Sequence, residues 1–290
     1  MFGKLCKYEF KSIGRTLVPI YLAIIAISIL NAFMGLGSLA NGYYNGLMSG
    51  LSFGRGLLSL IQTLSIIAYF GVLVAMSVLT LIVVIQRFYK GLLCDEGYLM
   101  FTLPVKPWQL IAAKGLVAFV MSLASSLVAF ASIFILVLGT AGTAKVFTAI
   151  TDPQLWSAIS RAIAHVSSWP LLVVEVIILV IVSGLVQLYH MYFSMALGHL
   201  ASKNRVMMSV VAFIAISMLF SFINSLAMII LGNVPSFQSF FRMIETMPDT
   251  QGISMVMHLT FIGSVIYNAI QLAIFFFGTE RILSKRLNLE

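Results

Sequence analysis

Six long apolar stretches interrupt this chain of 290 residues, and none of them contains a lysine or an arginine. They cover residues 16–37, 63–85, 115–139, 170–198, 207–231 and 257–279. A helix needs about 20 mostly apolar residues to cross the hydrocarbon core of a bilayer. Because backbone polar groups in lipid must bond within their own segment, such stretches form helices. The sequence therefore predicts an all-α polytopic membrane protein with six transmembrane helices, forming a single transmembrane domain.

The amino-acid composition agrees with this prediction and excludes an ordinary soluble enzyme. Hydrophobic residues make up 61% of the chain and charged residues 9%, whereas soluble domains carry roughly 25% charged residues. So few charged side chains cannot solvate the surface of a globule of this size. The two cysteines, Cys6 and Cys94, are too few for a disulfide framework or a cysteine-rich metal site.

The distribution of positive charge predicts the orientation in the membrane. With the N-terminus in the cytoplasm, the inner segments are 1–15, 86–114, 199–206 and 280–290. They carry thirteen of the 17 lysines and arginines, and the outer segments carry the other four. Cytoplasmic loops are enriched in these residues, so we expect both termini to be cytoplasmic. The net charge of +8 then reflects contacts with anionic lipid, and no nucleic-acid partner is expected.

Three shorter segments have amphipathic patterns. In the N-terminal segment, apolar residues recur at helical spacing opposite the cations: Phe2, Leu5, Cys6, Phe10 and Ile13. This pattern predicts an N-terminal amphipathic helix in the inner headgroup layer, although it also fits a plain positively charged flank. Residues 153–166 and 237–244 in the outer loops have helical spacing as well. Asp152 before Pro153 is typical of a helix start.

The longest inner loop, residues 86–114, is not a hydrophilic linker, and we call it the elbow. It mixes acidic and aromatic residues with prolines: Asp95, Glu96, Tyr98, Phe101, Pro104, Pro107 and Trp108. Gly97 and the prolines would divide it into short helices separated by turns. An apolar loop outside the membrane has to be buried by the bilayer surface or by a partner protein, and the residues alone leave both possibilities open.

Part of the elbow resembles a known family. The run Asp95-Glu96-Gly97-Tyr98-Leu99-Met100-Phe101-Thr102-Leu103-Pro104-Val105, followed by Gln109, Leu110 and Lys114, is similar to the loop after the second span in type-2 ABC transporter permeases of Gram-positive bacteria. Those proteins have six spans and a cytoplasmic N-terminus that begins with an amphipathic helix. The resemblance is specific over these residues and agrees with the layout of the whole chain.

The resemblance implies a function and a set of partners. The chain would be a permease subunit in a bacterial plasma membrane, would pair with a second permease subunit, identical or not, and would work with two cytoplasmic ATPase subunits. The elbow would contain the coupling helix between spans two and three that sits in a groove of the ATPase. On this resemblance the ATPase contacts are Asp95, Glu96, Gly97, Tyr98 and Phe101. The family leans towards export, but the substrate does not follow from it.

The chain has no motif for binding ATP. No G-x-x-x-x-G-K-[ST] occurs, so we expect the chain not to be an enzyme and to hold no cofactor of its own. ATP and Mg²⁺ would be bound, and ATP hydrolysed, by the partner subunits. Residues 50–54 match G-x-S-x-G, but the nucleophile elbow needs a strand–turn–helix setting that this outer loop lacks.

Polar residues form narrow stripes at helical spacing on three otherwise apolar spans, the fourth, the fifth and the sixth. The candidates for lining a translocation pathway are Ser183, Gln187, His190 and Ser194 in the fourth span, and Ser264, Asn268 and Gln271 in the sixth. Such stripes must face protein or water. They either form interhelical hydrogen bonds, line a pathway or contact a second permease. A lone histidine inside a span, such as His190, is more often a hydrogen-bonded packing residue than a ligand.

Two other functions stay open. An ion- or proton-coupled secondary transporter would work without an ATPase but would need ionisable groups near the membrane midplane. Glu175 is the one acidic residue inside a span, about five residues from its outer end, and the sequence shows no partner for it. It suggests an outer-gate or snorkelling role more than a proton carrier. A peptide-sensing or immunity subunit would share the fold and the ATPase partner.

Overall fold

A computed structural model of the protein describes residues 2–43, 52–94, 97, 105–164, 168–201, 203–246 and 249–285. These residues are almost entirely helical, and no β-strand occurs among them. Six helices are long and apolar enough to cross a membrane, which confirms an all-α chain with six candidate spans. The candidate spans are Phe2–Phe33, Thr63–Leu93, Pro107–Gly139, Trp169–Gly198, Arg205–Asn233 and Gln251–Lys285.

The helices follow one another with short connections. In chain order they are α1 (Phe2–Tyr43), α2 (Ser52–Phe88), a π-helical turn (Tyr89–Leu93), α3 (Pro107–Ala141), α4 (Thr143–Thr151), α5 (Pro153–Ala164), α6 (Trp169–Gly198), α7 (Arg205–Asn233), α8 (Pro235–Glu245) and α9 (Asp249–Lys285). Each predicted span lies inside one of the six long helices, and most of these helices extend several residues beyond it. An apolar run marks the part of a helix that fits the hydrocarbon core, whereas the helix itself continues until a residue or a contact ends it.

The predicted N-terminal amphipathic segment is continuous with the first span. α1 has no boundary between residues 2–15 and the apolar stretch that follows, and Pro19 lies inside it. Lys4, Lys7 and Lys11 are exposed, whereas Ile13 is buried. Whether residues 2–15 lie along a membrane surface stays a prediction.

The two short helices predicted in the outer loops are present as α5 and α8. The Gln154 amide donates a hydrogen bond of 2.8 Å to the Asp152 carboxylate, which is the expected capping contact at a helix that begins with Pro153. α8 likewise begins with a proline, Pro235, and Ile244 is its buried apolar residue. Local sequence patterns therefore predicted the presence of both helices and, for α5, the residue at which it starts.

The chain divides into two compact units. The N-terminal unit comprises Gly3–Val84 and Leu116–Ser157, and the C-terminal unit comprises Met1–Phe2, Ile85–Gly115 and Ala158–Glu290. The elbow and α6 to α9 therefore belong to the C-terminal unit. α2 and α3 each contribute residues to both units.

The N-terminal unit has two small apolar clusters that join α1, α2 and α3. One contains Ile13, Leu17, Val117 and Met121, and the other contains Ile24, Tyr69, Met76 and Leu136. Small residues allow the closest approach, because a Cβ added at Gly139 would collide with the backbone of Ala32. Small residues at helix contacts are the usual solution in membranes, where burial of apolar surface from lipid gives little driving force.

Hydrogen bonds between helices supplement these clusters. The Tyr21 hydroxyl lies 2.6 Å from the Ser125 hydroxyl, which is also 3.1 Å from Thr80 Oγ1. Tyr69 pairs in the same way with Ser132, at 2.8 Å. Such bonds contribute on average about 0.6 kcal/mol each in membranes. They fix the register of the three helices, since each hydroxyl finds its partner at one axial position only.

The C-terminal unit is built around α6, which packs against both α7 and α9. Much of the second half of α6 is buried, including Tyr189, His190 and Tyr192. In α7, which is described throughout, Ser209 alone is buried. The exposed apolar residues of α7, such as Ile214 and Met218, are the kind of surface that lipid covers. α6 is thus the element to which the rest of this unit is attached.

Candidate functional site

The elbow begins with a π-helical turn where α2 ends. The α-helix stops at Phe88, and Tyr89–Leu93 continue with π geometry. Gly91, Leu92 and Leu93 are buried, although the sequence places them in a loop outside the spans. π-helical turns are rare and occur frequently at functional sites. Because its residues are buried, this turn shows that the elbow is packed against the protein where it starts.

The first end of the elbow is fixed to α6 by aromatic contacts. The Phe88 ring stacks on the Tyr192 ring, with centroids 3.8 Å apart and planes at 10°. One residue later, Tyr89 lies beside His199, with ring centroids 5.9 Å apart. Phe88 has no exposed surface and Tyr192 is 1% exposed. Two successive rings thus hold the end of α2 against the C-terminal end of α6.

The second end of the elbow also contacts α6. α3 begins at Pro107, and Leu110, Ile111 and Ala113 are buried in its first turns. A Cβ added at Gly115 would collide with the Tyr189 hydroxyl, so α3 and α6 approach closely there.

A buried cation links the two ends of the elbow to each other. Lys114, which is 4% exposed, donates a long hydrogen bond of 3.5 Å from its ammonium to the Arg87 carbonyl oxygen. A buried ammonium is costly unless it has partners, so this contact constrains where α3 can start relative to the end of α2. The elbow is therefore held at both ends, and both ends lie on α6.

One of the five predicted ATPase contacts lies in the described part of the elbow. Gly97 is buried, and its amide donates a hydrogen bond of 2.7 Å to the Cys94 carbonyl. A Cβ added at Gly97 would lie 2.7 Å from the Leu92 carbonyl oxygen, so glycine is required for this turn. The other four, Asp95, Glu96, Tyr98 and Phe101, lie outside the described residues.

Cations lie at described positions in and near the elbow. Lys106 is exposed at the start of α3, and Arg205 begins α7. Burial lowers the pKa of His199, and the positive charge of Arg205 lowers it further. His199 is therefore held in its neutral form near neutral pH, with its ring beside that of Tyr89 and tilted by 60° to it. Trp108 is 41% exposed and gives this region an apolar surface beside its cations.

The predicted polar stripe of α6 divides into groups with different environments. Ser183 and Ser194 donate to carbonyls of their own helix, Val180 at 3.2 Å and His190 at 2.8 Å. Gln187 is exposed. His190 is stacked between Phe213 and Phe275, with centroids 4.4 and 4.9 Å away.

The contacts of His190 agree with the expectation of a hydrogen-bonded packing residue. His190 is buried between the two phenylalanine rings and forms a hydrogen bond with the backbone of Phe213. Its Nε2 has no hydrogen-bond partner within the described residues.

The predicted stripe of α9 is partly buried. Asn268 donates a hydrogen bond of 2.7 Å to the Ser264 carbonyl four residues earlier, and Ser264 and Gln271 are both half-buried. The hydrogen bond that joins α9 to α7 comes from Tyr267, whose hydroxyl donates to the Phe220 carbonyl at 3.3 Å. The bond back to its own helix satisfies the Asn268 amide without a neighbouring helix, so this residue needs no water-filled pathway to be stable.

A cluster that the sequence did not reveal lies at the other end of α6. His258 of α9 has its Nδ1 2.9 Å from both carboxylate oxygens of Glu175. Its Nε2 is hydrogen-bonded to the Ser168 hydroxyl, just before α6 begins. Glu175 therefore has a partner, contrary to the expectation from the sequence. The 83 residues between the two leave no local spacing from which the pair could be predicted.

Two further properties bear on the chemistry of these sites. Among the residues that the structure describes, no group of three histidine, cysteine, aspartate or glutamate side chains is placed to hold a metal ion. No family model matches the chain, and no curated protein or solved structure matches it. The contacts of the elbow and of the ends of α6 are therefore the basis on which a function can be inferred.

Proposed function

We propose that this chain is the membrane-spanning subunit of an ATP-binding cassette transporter of the type-2 permease kind. It would lie in a bacterial plasma membrane with both termini in the cytoplasm. The observation that carries this proposal is the elbow, a largely apolar loop between two spans whose two ends both pack on α6. Its middle contains the acidic and aromatic residues that resemble the coupling segment of that family.

The contacts of the elbow suit it to transmit a movement. Phe88 and Leu92 have no exposed surface, and Leu110 is 1% exposed, so the ends of the loop cannot shift without moving what they touch. Protein interiors are close-packed and transmit displacement more readily than they absorb it. A force on the middle of the elbow would reach α6, and through α6 it would reach α7 and α9, which pack against it.

The motor would be supplied by other chains. We propose that two ATPase subunits bind ATP and Mg²⁺ and dock on Asp95, Glu96, Gly97, Tyr98 and Phe101. A second permease subunit, identical or not, would complete the membrane part. Closure of the ATPase pair would push the elbows and tilt the spans as rigid bodies, which is the usual form of alternating access. Export is the direction that the resemblance favours.

The polar stripes have a subordinate place in this proposal. Ser183, Gln187, His190, Ser194, Ser264, Asn268 and Gln271 are the candidates for the pathway lining. Ser194 and Asn268 bond to their own helices, which supports a packing role for these two. Gln187 is exposed on α6, and an exposed amide is costly in lipid. Gln187 is therefore the member of the set that most needs a polar neighbour, from a pathway or from a second subunit.

The alternative of a secondary carrier has less support. A carrier would hold its coupling groups near the midplane. Glu175, in the ion pair with His258, is the seventh residue of α6, which begins at Trp169, so it lies roughly 9 Å from that helix end at 1.5 Å per residue. A peptide-sensing or immunity subunit would share the elbow and the ATPase, and only an assay of transport separates it from an exporter.

The proposal is tested by changing the middle of the elbow and measuring how much ATPase the chain retains. The tagged protein is purified from its native membrane, and the ATPase subunits that co-purify are quantified together with their ATP turnover in lipid vesicles. We expect Glu96→Gln and Tyr98→Ala to lower the retained ATPase by about tenfold, equivalent to about 1.4 kcal/mol of binding energy. Insertion of the permease should not change.

Gly97→Ala supplies a structural arm of the same test, since the added Cβ would meet the Leu92 carbonyl. The matched control is Gly71→Ala in α2, where a Cβ would meet nothing within 4 Å. We expect Gly97→Ala to lose the ATPase and Gly71→Ala to retain it. Retention at the wild-type level in all three elbow variants would contradict the proposal.

A further inference from the structure

At the end of α6 opposite the elbow, one imidazole joins a side chain of α6 to the side chain of the residue that precedes this helix. His258 Nδ1 lies 2.9 Å from each carboxylate oxygen of Glu175, and His258 Nε2 is hydrogen-bonded to Ser168 Oγ. All three residues belong to the C-terminal unit. A hydroxyl, an imidazole and a carboxylate are thus connected in series, in the order that nucleophilic acyl transfer uses.

The two hydrogen bonds of His258 are compatible with one arrangement of protons that suits a nucleophilic serine. If the Glu175 carboxylate is ionised it can only accept, so Nδ1 carries the hydrogen that it donates to Glu175. In the neutral imidazole Nε2 is then an acceptor, and the hydrogen of the Ser168 hydroxyl points to it. Glu175 fixes the tautomer and the ring orientation, and it stabilises the imidazolium that would form when Ser168 loses its proton. These are the roles of the orienting acid and the general base in a serine nucleophile triad.

The backbone around Ser168 adds a further feature of such sites. Ser168 immediately precedes α6, and its carbonyl accepts hydrogen bonds from Leu171 and Leu172, at 3.0 and 3.2 Å. The next amide, that of Trp169, is the first of the helix and has no intrahelical acceptor. An oxyanion formed on an acyl group at Ser168 would meet this amide at the positive end of the helix dipole. Serine hydrolases use the amide of the residue after the nucleophile in the same way.

The three residues differ in exposure, and the hydroxyl is more accessible than the carboxylate, as catalysis requires. Glu175 is buried, while Ser168 and His258 are half-buried. Trp169, beside the hydroxyl, is 48% exposed, and tryptophan favours the boundary between lipid and water. The carboxylate is therefore shielded, whereas the hydroxyl can be reached from that boundary, where both water and the acyl esters of amphipathic molecules are available.

We propose that Ser168, His258 and Glu175 form a catalytic triad that hydrolyses a carboxylic ester of an amphipathic molecule at the membrane surface. Ser168 Oγ attacks the ester carbonyl carbon, and its proton passes to His258 Nε2. The bond from that carbon to the leaving oxygen breaks, and the proton on Nε2 goes to the departing alcohol. Water then attacks the acyl-serine and gives a proton to Nε2. The acid leaves, and the proton returns to Ser168 Oγ, so that ester and water become acid and alcohol.

This activity is separate from the proposed transport function and does not depend on it. The expectation that the chain is not an enzyme came from the absence of a nucleotide motif and from a G-x-S-x-G in an unsuitable setting. The triad uses neither, because its members are brought together from positions 168, 175 and 258 by the packing of α9 on α6.

The test is covalent labelling of the purified full-length protein in lipid nanodiscs with a biotinylated alkyl fluorophosphonate. Attack by an activated serine forms an Oγ–P bond with loss of fluoride, and mass spectrometry of the digest locates the modified residue. We expect labelling of the wild-type protein at Ser168 and none for Ser168→Ala. His258→Gln should lower the labelling rate by about 10²-fold or more, because a positioned general base contributes about 10² to 10⁴. Glu175→Gln should also lower it.

The matched control is Ser239→Ala, which removes an exposed hydroxyl of α8 and should label like the wild type. Hydrolysis of p-nitrophenyl caprylate, followed by absorbance, should fall in the same order across the variants. Because the label is located on the wild-type protein, this result does not depend on whether the variants fold. An unlabelled wild-type protein, or a label on another residue, would overturn the proposal and leave the three side chains as a contact between α6 and α9.

Discussion

His199 is placed where a change in pH would alter the packing beside the elbow. It is 9% exposed, follows the last residue of α6 and lies against the Tyr89 ring. Burial lowers its pKa, and the nearby cation Arg205 lowers it further. The folded protein therefore binds fewer protons at this site than the unfolded chain does at mildly acidic pH. By linkage, the stability that His199 contributes is complete above the ordinary pKa of histidine, about 6.5, and is lost as the pH falls below it.

We therefore expect the wild-type protein to lose more thermal stability between about pH 7.5 and about pH 5.5 than a His199→Gln variant does. Arg205→Gln should reduce the pH dependence by less, because it leaves burial, the larger cause, in place. Thermal unfolding in detergent across that range measures the effect, and the other histidines are common to both proteins. Equal losses in wild type and His199→Gln would show that His199 is not the group responsible.

At the scale of single residues, features that depend on local spacing could be predicted from the sequence, whereas the contacts between distant side chains could not. Gly97 was predicted to interrupt the elbow, and the structure shows why a glycine is needed in its turn, whereas its contact with an ATPase stays a prediction. No partner for Glu175 was evident because the sequence carries only local spacing, whereas His258 reaches it through the packing of two helices that are distant in sequence. The stacking of two phenylalanine rings on His190 could not be predicted for the same reason.

At the scale of helices, the crossing of α6 and α7 depends on one glycine. A Cβ added at Gly198 would collide with the backbone and hydroxyl of Ser209, and the Ser209 hydroxyl already donates to the Arg205 carbonyl at 2.9 Å. At this point of the crossing Gly198 lies against the backbone of Ser209, which cannot move aside as a flexible side chain could. Elsewhere the two helices also meet through side chains, as where His190 stacks on Phe213. Close contacts of this kind hold transmembrane helices together because dispersion and hydrogen bonding are the main attractive forces there.

Gly198→Ala should destabilise the protein by about 1–3 kcal/mol or more, the usual range for overpacking, and should lower its melting temperature in detergent. Gly263→Ala in α9 is the matched control, since a Cβ there would meet nothing within 4 Å. We expect the control to melt at or above the wild-type temperature, because alanine is the better helix former. A Gly198→Ala protein as stable as the control would mean that the two helices do not approach as closely as the structure has them.

The number and order of the long helices were predictable because each needs an apolar run of about 20 residues and few other structures can bury such a run. The ends were not. α1 extends back to Phe2 because nothing in residues 2–15 interrupts it. The elbow contains a π-helical turn that no sequence pattern predicts. Asp152 and Pro153 show the opposite case, in which local chemistry was enough to predict where α5 starts.

At the scale of the whole molecule, we propose that this chain is the subunit that moves and that separate subunits drive the movement. The chain has six candidate spans, a largely apolar elbow held at both ends, and no sequence motif for binding ATP. We propose that another protein engages this elbow. The central claim is therefore that the working unit contains ATPase subunits encoded separately from this chain.

Isolation of the tagged native chain from its own membranes, with identification of everything that co-purifies and measurement of ATP turnover, tests that claim most directly. We expect ATPase subunits in about equal number to the permease subunits, with ATP hydrolysis that depends on Mg²⁺ and is lost together with the ATPase in the Tyr98→Ala variant. A chain that is isolated alone, fully active and unaffected by nucleotide would contradict the account.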